Sequence, residues 1–133
     1  MKRAKKLFKI YVLGNPLIEE DSLPIKLLPK LRENFKNISF VEIDPTETLP
    51  EGKNLTILDT IINTEEIKIL KDISKIESQP NYSLHDFDLA FNLKLMKKLG
   101  QIDNVTIIGL PPNINQNKAI KELKPIISNL LST

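Results

Sequence analysis

Cysteine is absent from this 133-residue chain. That excludes a disulfide framework, a thiolate nucleophile and any sulfur-ligated metal held by the chain itself. A metal bound here has to rely on oxygen and nitrogen ligands. Histidine occurs once, at position 85, so any imidazole this chain contributes to a site is His85. No serine sits in a Gly-x-Ser-x-Gly elbow, and without cysteine the usual covalent hydrolase schemes lack a nucleophile. A His-Glu-x-x-His zinc-protease helix is missing too. Gly14-Asn15 is not followed by the glycine-rich turn that a dinucleotide pyrophosphate requires.

An excess of either charge is also lacking. Nineteen basic residues face seventeen acidic ones, for a net charge of +2. A dedicated nucleic-acid surface needs a clear, clustered basic excess, so no nucleic-acid partner is expected. The one basic cluster, Lys2-Arg3-Lys5-Lys6, reads as a solvated lead-in to the first strand. No apolar run approaches the roughly 18 residues of a membrane span, and no small-residue cleavage site follows the basic start. The expectation is a cytoplasmic protein without membrane insertion. Its length suits one domain, residues 1–133, with a single sizeable core.

What is present is an alternation of strand and helix patterns. Phe8–Leu13 is a short apolar run that stops at Gly14-Asn15, as for a strand buried on both faces. Leu23, Leu27, Leu28, Leu31 and Phe35 recur at helical spacing, with Ser22 as the expected N-cap and Pro24 tolerated in the first turn. Pro29 lies deeper, where it is expected to kink the helix or move its start later. Ile38–Ile43 alternates like a half-buried strand, and Leu55-Thr56-Ile57-Leu58 forms another buried strand, expected to end at Asp59. Residues 66–70 alternate again, and the short connection from Asp59 predicts an edge strand in an antiparallel hairpin. Residues 86–99 carry Phe87, Ala90, Phe91, Leu95 and Leu99 on one predicted core side, with Gly100 as C-terminal cap. Residues 105–108 give a further buried strand ending at Gly109, and residues 119–131 an amphipathic helix bent at Pro125. This pattern predicts an α/β fold, a three-layer sandwich with a mixed but mostly parallel, twisted sheet of about five strands flanked by helices.

Ligands of open α/β sheets bind beyond the carboxyl ends of the strands. Asn15 and Asp59 are both expected just past such ends. Asp21 opens a helix, where free N–H groups and the positive end of the dipole favour a carboxylate. His85 precedes another helix. Two carboxylates and one imidazole make a nitrogen and oxygen site for nickel, zinc or a similar divalent ion, with positions left open for an outside ligand. Each residue has an ordinary reading as well: Asp21 as a helix-start residue, Asp59 as a turn cap, His85 as a surface histidine. Asp86 and Asp88 read as first-turn dipole partners, either of which could orient His85.

The chain resembles the hydrogenase maturation endopeptidases. The resemblance rests on Leu13-Gly14-Asn15-Pro16-Leu17, on Asp21 six positions after Asn15, on Leu58-Asp59, on Ser83-Leu84-His85, and on Val105-Thr106-Ile107-Ile108-Gly109 before a proline loop. It departs from the family in Ser22-Leu23-Pro24, where members commonly carry glycine or another small residue. The resemblance implies an aspartic-type endopeptidase that removes the C-terminal extension of a nickel-iron hydrogenase large-subunit precursor once nickel is inserted. It implies Asp21, Asp59 and His85 as metal ligands and Asp21 and Asp59 as catalytic carboxylates. The nickel is then supplied by the substrate, with zinc or cadmium able to occupy the site in isolation. The competing reading is a catalytically silent α/β protein of the same fold that binds a metal or a partner.

Overall fold

The computed structural model describes residues 8–14, 22–43, 50, 52–62, 64–71, 83–84 and 87–132. Among these residues nine elements follow in chain order: β1 (Phe8–Leu13), α1 (Leu23–Asn34), β2 (Ile38–Ile43), β3 (Gly52–Ile62), β4 (Lys68–Leu70), β5 (Ser83–Leu84), α2 (Phe87–Lys98), β6 (Ile102–Leu110) and α3 (Gln116–Leu131). The strands form a sheet in the order β2-β1-β3-β6-β4, with β5 paired to the far end of β3. β2, β1, β3 and β6 run parallel, while β4 and β5 are antiparallel to their neighbours. The expected mostly parallel sheet with an antiparallel edge is what forms.

Two expectations about this sheet need correction. β3 does not end at Asp59 but continues to Ile62. Residues 55–61 are all buried, and the extra length is used at Ile61 and Ile62, which pair with Leu84 and Ser83 of β5. β6 likewise runs through Gly109 to Leu110. β4 is an antiparallel edge strand, but it makes no hairpin with β3. It reaches across to β6, pairing Lys68 with Gly109 and Leu70 with Ile107, because β6 already holds that side of β3 from Gly52 to Thr60.

Strand alternation divides the apolar side chains between two cores. On one face, Ile10, Val12, Leu58 and Ile108 pack with Leu27, Leu28 and Leu31 of α1 and with Ala119, Ile120, Leu123 and Ile127 of α3. On the other, Leu13, Leu55, Ile57, Ile61, Val105 and Ile107 pack with Leu93 and Met96 of α2. The result is the expected three layers. Lys30 Nζ donates to Asn117 Oδ1 at 3.0 Å, tying α1 to α3.

The helix ends follow their chemistry in two places and depart from it in a third. Asn115 caps α3, its side-chain oxygen accepting from the N–H groups of Asn117 and Lys118 at 2.9 and 3.2 Å. After α2, Gly100 takes φ +76°. The N–H of Gln101 then reaches Met96 O and that of Gly100 reaches Lys97 O, the paired bonds of a Schellman ending. Ser22 occupies the N-cap position of α1 but in helical conformation and without a side-chain cap bond. Pro29 does not delay the start of α1, which runs on from Leu23. Pro29 is exposed, so the carbonyl it leaves without an N–H partner faces the solvent side, where water can serve it.

The face of α2 is the third correction. Leu93 is fully buried and Met96 is 8% exposed, while Phe91, Leu95 and Leu99 are 67%, 44% and 62% exposed. At these three positions the stripe expected in the core points outward.

Candidate functional site

Strand order locates the site before any residue is considered. From β1 the chain passes through α1 to β2 on one side, and from β3 it proceeds to β6 on the other. The two connections leave in opposite directions from adjacent strands. Such a switch point opens a crevice at the carboxyl ends of the strands, the usual ligand position in open α/β sheets.

Asp59 stands at that crevice. β1 pairs with β3 at Tyr11–Ile57 and Val12–Leu58, so Asp59 is the next β3 residue beyond the β1 pairing. It is level with Gly109, one residue before the end of β6. Asp59 therefore lies inside its own strand yet at the end of its neighbours. By alternation it shares a face with Ile57 and Ile61, the face that α2 covers. Asp59 is only 2% exposed, and its Oδ2 atom is closed off from solvent. A carboxylate buried this deeply needs hydrogen bonds or a cation to offset lost hydration. As an oxygen donor it suits a divalent ion.

Asp21 and His85, the other two expected ligands, lie outside the described residues, as do Asn15 and Asp86. The residues beside them are described. Ser22, next to Asp21, is 1% exposed at the head of α1. Leu84, next to His85, pairs with Ile61, two residues beyond Asp59 on the same strand. Leu84 thus holds β5 against the carboxyl end of β3, two residues from Asp59, and Ser22 heads the helix that follows β1. Among the described residues no group of three histidine, aspartate or glutamate side chains comes together.

Three features of this end were not anticipated from the sequence. Thr60 is fully buried, and its hydroxyl has no hydrogen-bond partner among the described residues. Gly109 was expected to end a strand, yet it lies within β6 where a Cβ would collide with the Cγ1 and Cδ1 atoms of Ile61 and stand 3.0 Å from its Cβ. A cleft of about 540 Å³, bordered by Ser22, Lys26, Pro112, Asn113 and Gln116, opens between the head of α1 and the loop from β6 to α3. The Pro111-Pro112 pair before a capping asparagine was its only local signal. No described helix is long and apolar enough to cross a membrane.

The same architecture recurs in solved structures. Hydrogenase maturating endopeptidase HybD from E. coli matches with a TM-score of 0.66 at 16% identity, over 95% of this chain and 93% of that one. An endopeptidase from Escherichia coli matches with a TM-score of 0.57 at 17% identity, over 94% and 91%. Endopeptidase HycI from the same species matches with 0.54 at 19% identity, over 86% and 85%. No protein-family model matches the sequence, and neither does any curated protein. Identities this low speak for the backbone, and over almost its whole length this chain has the fold of the hydrogenase maturation endopeptidases.

Proposed function

We propose that this protein is an endopeptidase that removes the C-terminal extension of a nickel-iron hydrogenase large-subunit precursor after nickel insertion. The observation that carries this reading is the buried carboxylate of Asp59 at the switch point between β1 and β3, in a chain that shares its fold with HybD and HycI. Asp21 and His85 join Asp59 in filling free coordination positions on the nickel that the precursor brings. Recognition of that ion sets the scissile peptide beside the site. There either Asp21 or Asp59 takes the proton of the attacking water and passes it to the amine released as the peptide C–N bond breaks, or the ion that the precursor brings polarises the carbonyl toward that water. Two carboxylates and one imidazole leave a divalent ion unsaturated, which suits an ion arriving with its own ligands. The reading places the protein in the cytoplasm, where such precursors would be assembled.

The test is incubation of a purified precursor with the protein. The nickel-loaded form should shorten by its tail, and the nickel-free form or the His85→Ala variant should give no product. Equal cleavage of the nickel-free precursor would reject recognition through the ion. Casein should survive undigested. Coordination requires a neutral imidazole, so nickel affinity measured by calorimetry should be retained at higher pH and lost as pH falls through the range where imidazole protonates.

A further inference from the structure

The glycine inside β6 has no turn to make and no positive φ to justify it. What it provides is space. Gly109 is level with Asp59 in the parallel pairing of β3 and β6 and is also paired to Lys68 of β4. It is thus fixed from both sides in the sheet. The side chain of Ile61 lies in the position that a Cβ on residue 109 would take. Ile61 is two residues beyond Asp59 and on the same face, so its side chain leans back along the strand to the level of Asp59 and across onto β6. It is fully buried there. The backbone of Ile61 also carries β5 through its pairing with Leu84, the residue before His85.

We propose that Gly109 is a positioning residue, whose missing side chain seats Ile61 and so fixes the separation between Asp59 and the segment that leads to His85. The inference rests on the metal-contact reading of Asp59 and His85. A methyl group at 109 meets the Cγ1 and Cδ1 atoms of Ile61 and also its branched Cβ. The severe clashes are with the two outer carbons, and Ile61 is fully buried, so in a close-packed core they have little room to rotate away; β3 has to give at Ile61, and β5, paired to it, shifts with it. The strand pairs on the far side of the sheet, from Phe8–Ile38 to Leu13–Ile43, are untouched.

The test uses Gly109→Ala, Ile61→Ala and the double variant, each read by amide hydrogen exchange and by calorimetric titration with Ni²⁺ alone. Gly109→Ala is expected to lose exchange protection at Ser83 and Leu84 while keeping it in β1 and β2, and to bind Ni²⁺ roughly tenfold more weakly, the lower end of what outer-shell partners of a metal site contribute. Ile61→Ala removes the two colliding carbons, so the double variant should bind Ni²⁺ as Ile61→Ala does, although it is the less stable protein relative to wild type. Recovery of affinity without recovery of stability is an outcome that a general packing role cannot produce. Unchanged exchange at Ser83 and Leu84 in Gly109→Ala would overturn the proposal. If Gly109→Ala does not fold, Ile61→Ala and the double variant decide: equal affinity and equal exchange support it, and a double variant more than tenfold weaker than Ile61→Ala overturns it. If wild type binds no Ni²⁺, the metal reading fails by itself, and the exchange pattern still decides whether Gly109 positions β5.

Discussion

The two faces of the sheet are covered unequally. On one, α1 and α3 lay seven buried side chains between Leu27 and Ile127 over four strands and are tied to each other by Lys30 and Asn117. On the other, among the described residues, α2 contributes Leu93 and Met96 and turns Phe91, Leu95 and Leu99 to solvent. Asp59, Ile61 and Gly109 belong to this second face, which α2 alone covers among the described helices. The difference separates two tasks. Among the described residues more buried side chains come from the face where two helices interlock, and Asp59 lies on the face away from them.

That separation can be broken at graded strength. Leu123→Ala, in the doubly covered core, should lower the free energy of unfolding by about 2–5 kcal/mol. Denaturant titration would show this, and Ni²⁺ affinity of the folded protein should stay within about twofold, as expected for sites without shared partners. An equal loss of Ni²⁺ binding would mean that the two faces are coupled. Asp59→Ala should do the reverse, weakening Ni²⁺ binding on the order of 100-fold, or roughly 2.7 kcal/mol. Affinity is read on the folded protein, so this loss is separable from any shift in the denaturation midpoint. Unchanged affinity in calorimetry would remove Asp59 from the ligand set. Asn115→Ala deletes the cap of α3 and should cost about 1 kcal/mol, read as a small downward shift in the thermal midpoint. The smallest effect is expected for Phe91→Ser, under about 0.5 kcal/mol as for ordinary surface positions. A loss as large as that of a core residue would show that the outward stripe of α2 is covered in solution.

Elements were more legible in the sequence than their neighbours. β1 and β2 could be read directly from apolar runs and alternation, and Gly100 from its place after a helical pattern, because each depends on nearby residues alone. Asp59 was expected to end a strand because a charge after the strand formers Leu55-Thr56-Ile57-Leu58 is locally a stop. The strand continues because β5, more than twenty positions later, pairs with Ile61 and Ile62. β4 was assigned to β3 by proximity in sequence, and the competition from β6 for that edge cannot be seen in a local window. On α2 there were two apolar sides to choose from. Phe91, Leu95 and Leu99 make the longer stripe, but the sheet selects Leu93 and Met96, and propensity carries no information about that choice. Asp59 was expected as a site residue from its type and its place near the end of a run of strand formers, and the structure buries it in that strand. The space at Gly109 was not, since it exists only once Ile61 is folded across it. The grouping of Asp21 and His85 with Asp59 lies outside the described residues.

The order of strands across the sheet also has a meaning in time. β3 is the central strand, and its second neighbour, β6, begins only at Ile102. As the chain is made, the apolar stretch of residues 55–61 exists with one edge unpaired until residue 110 has emerged. At about 5–20 residues per second, that interval lasts several seconds. An open strand edge is a template for pairing with other chains. A long-range parallel closure of this kind also comes late in folding, since the loop must close before the contacts form. Nascent chains arrested before Ile102 are therefore expected to aggregate, and release past Leu110 should restore them to solution, as sedimentation of truncated products would reveal.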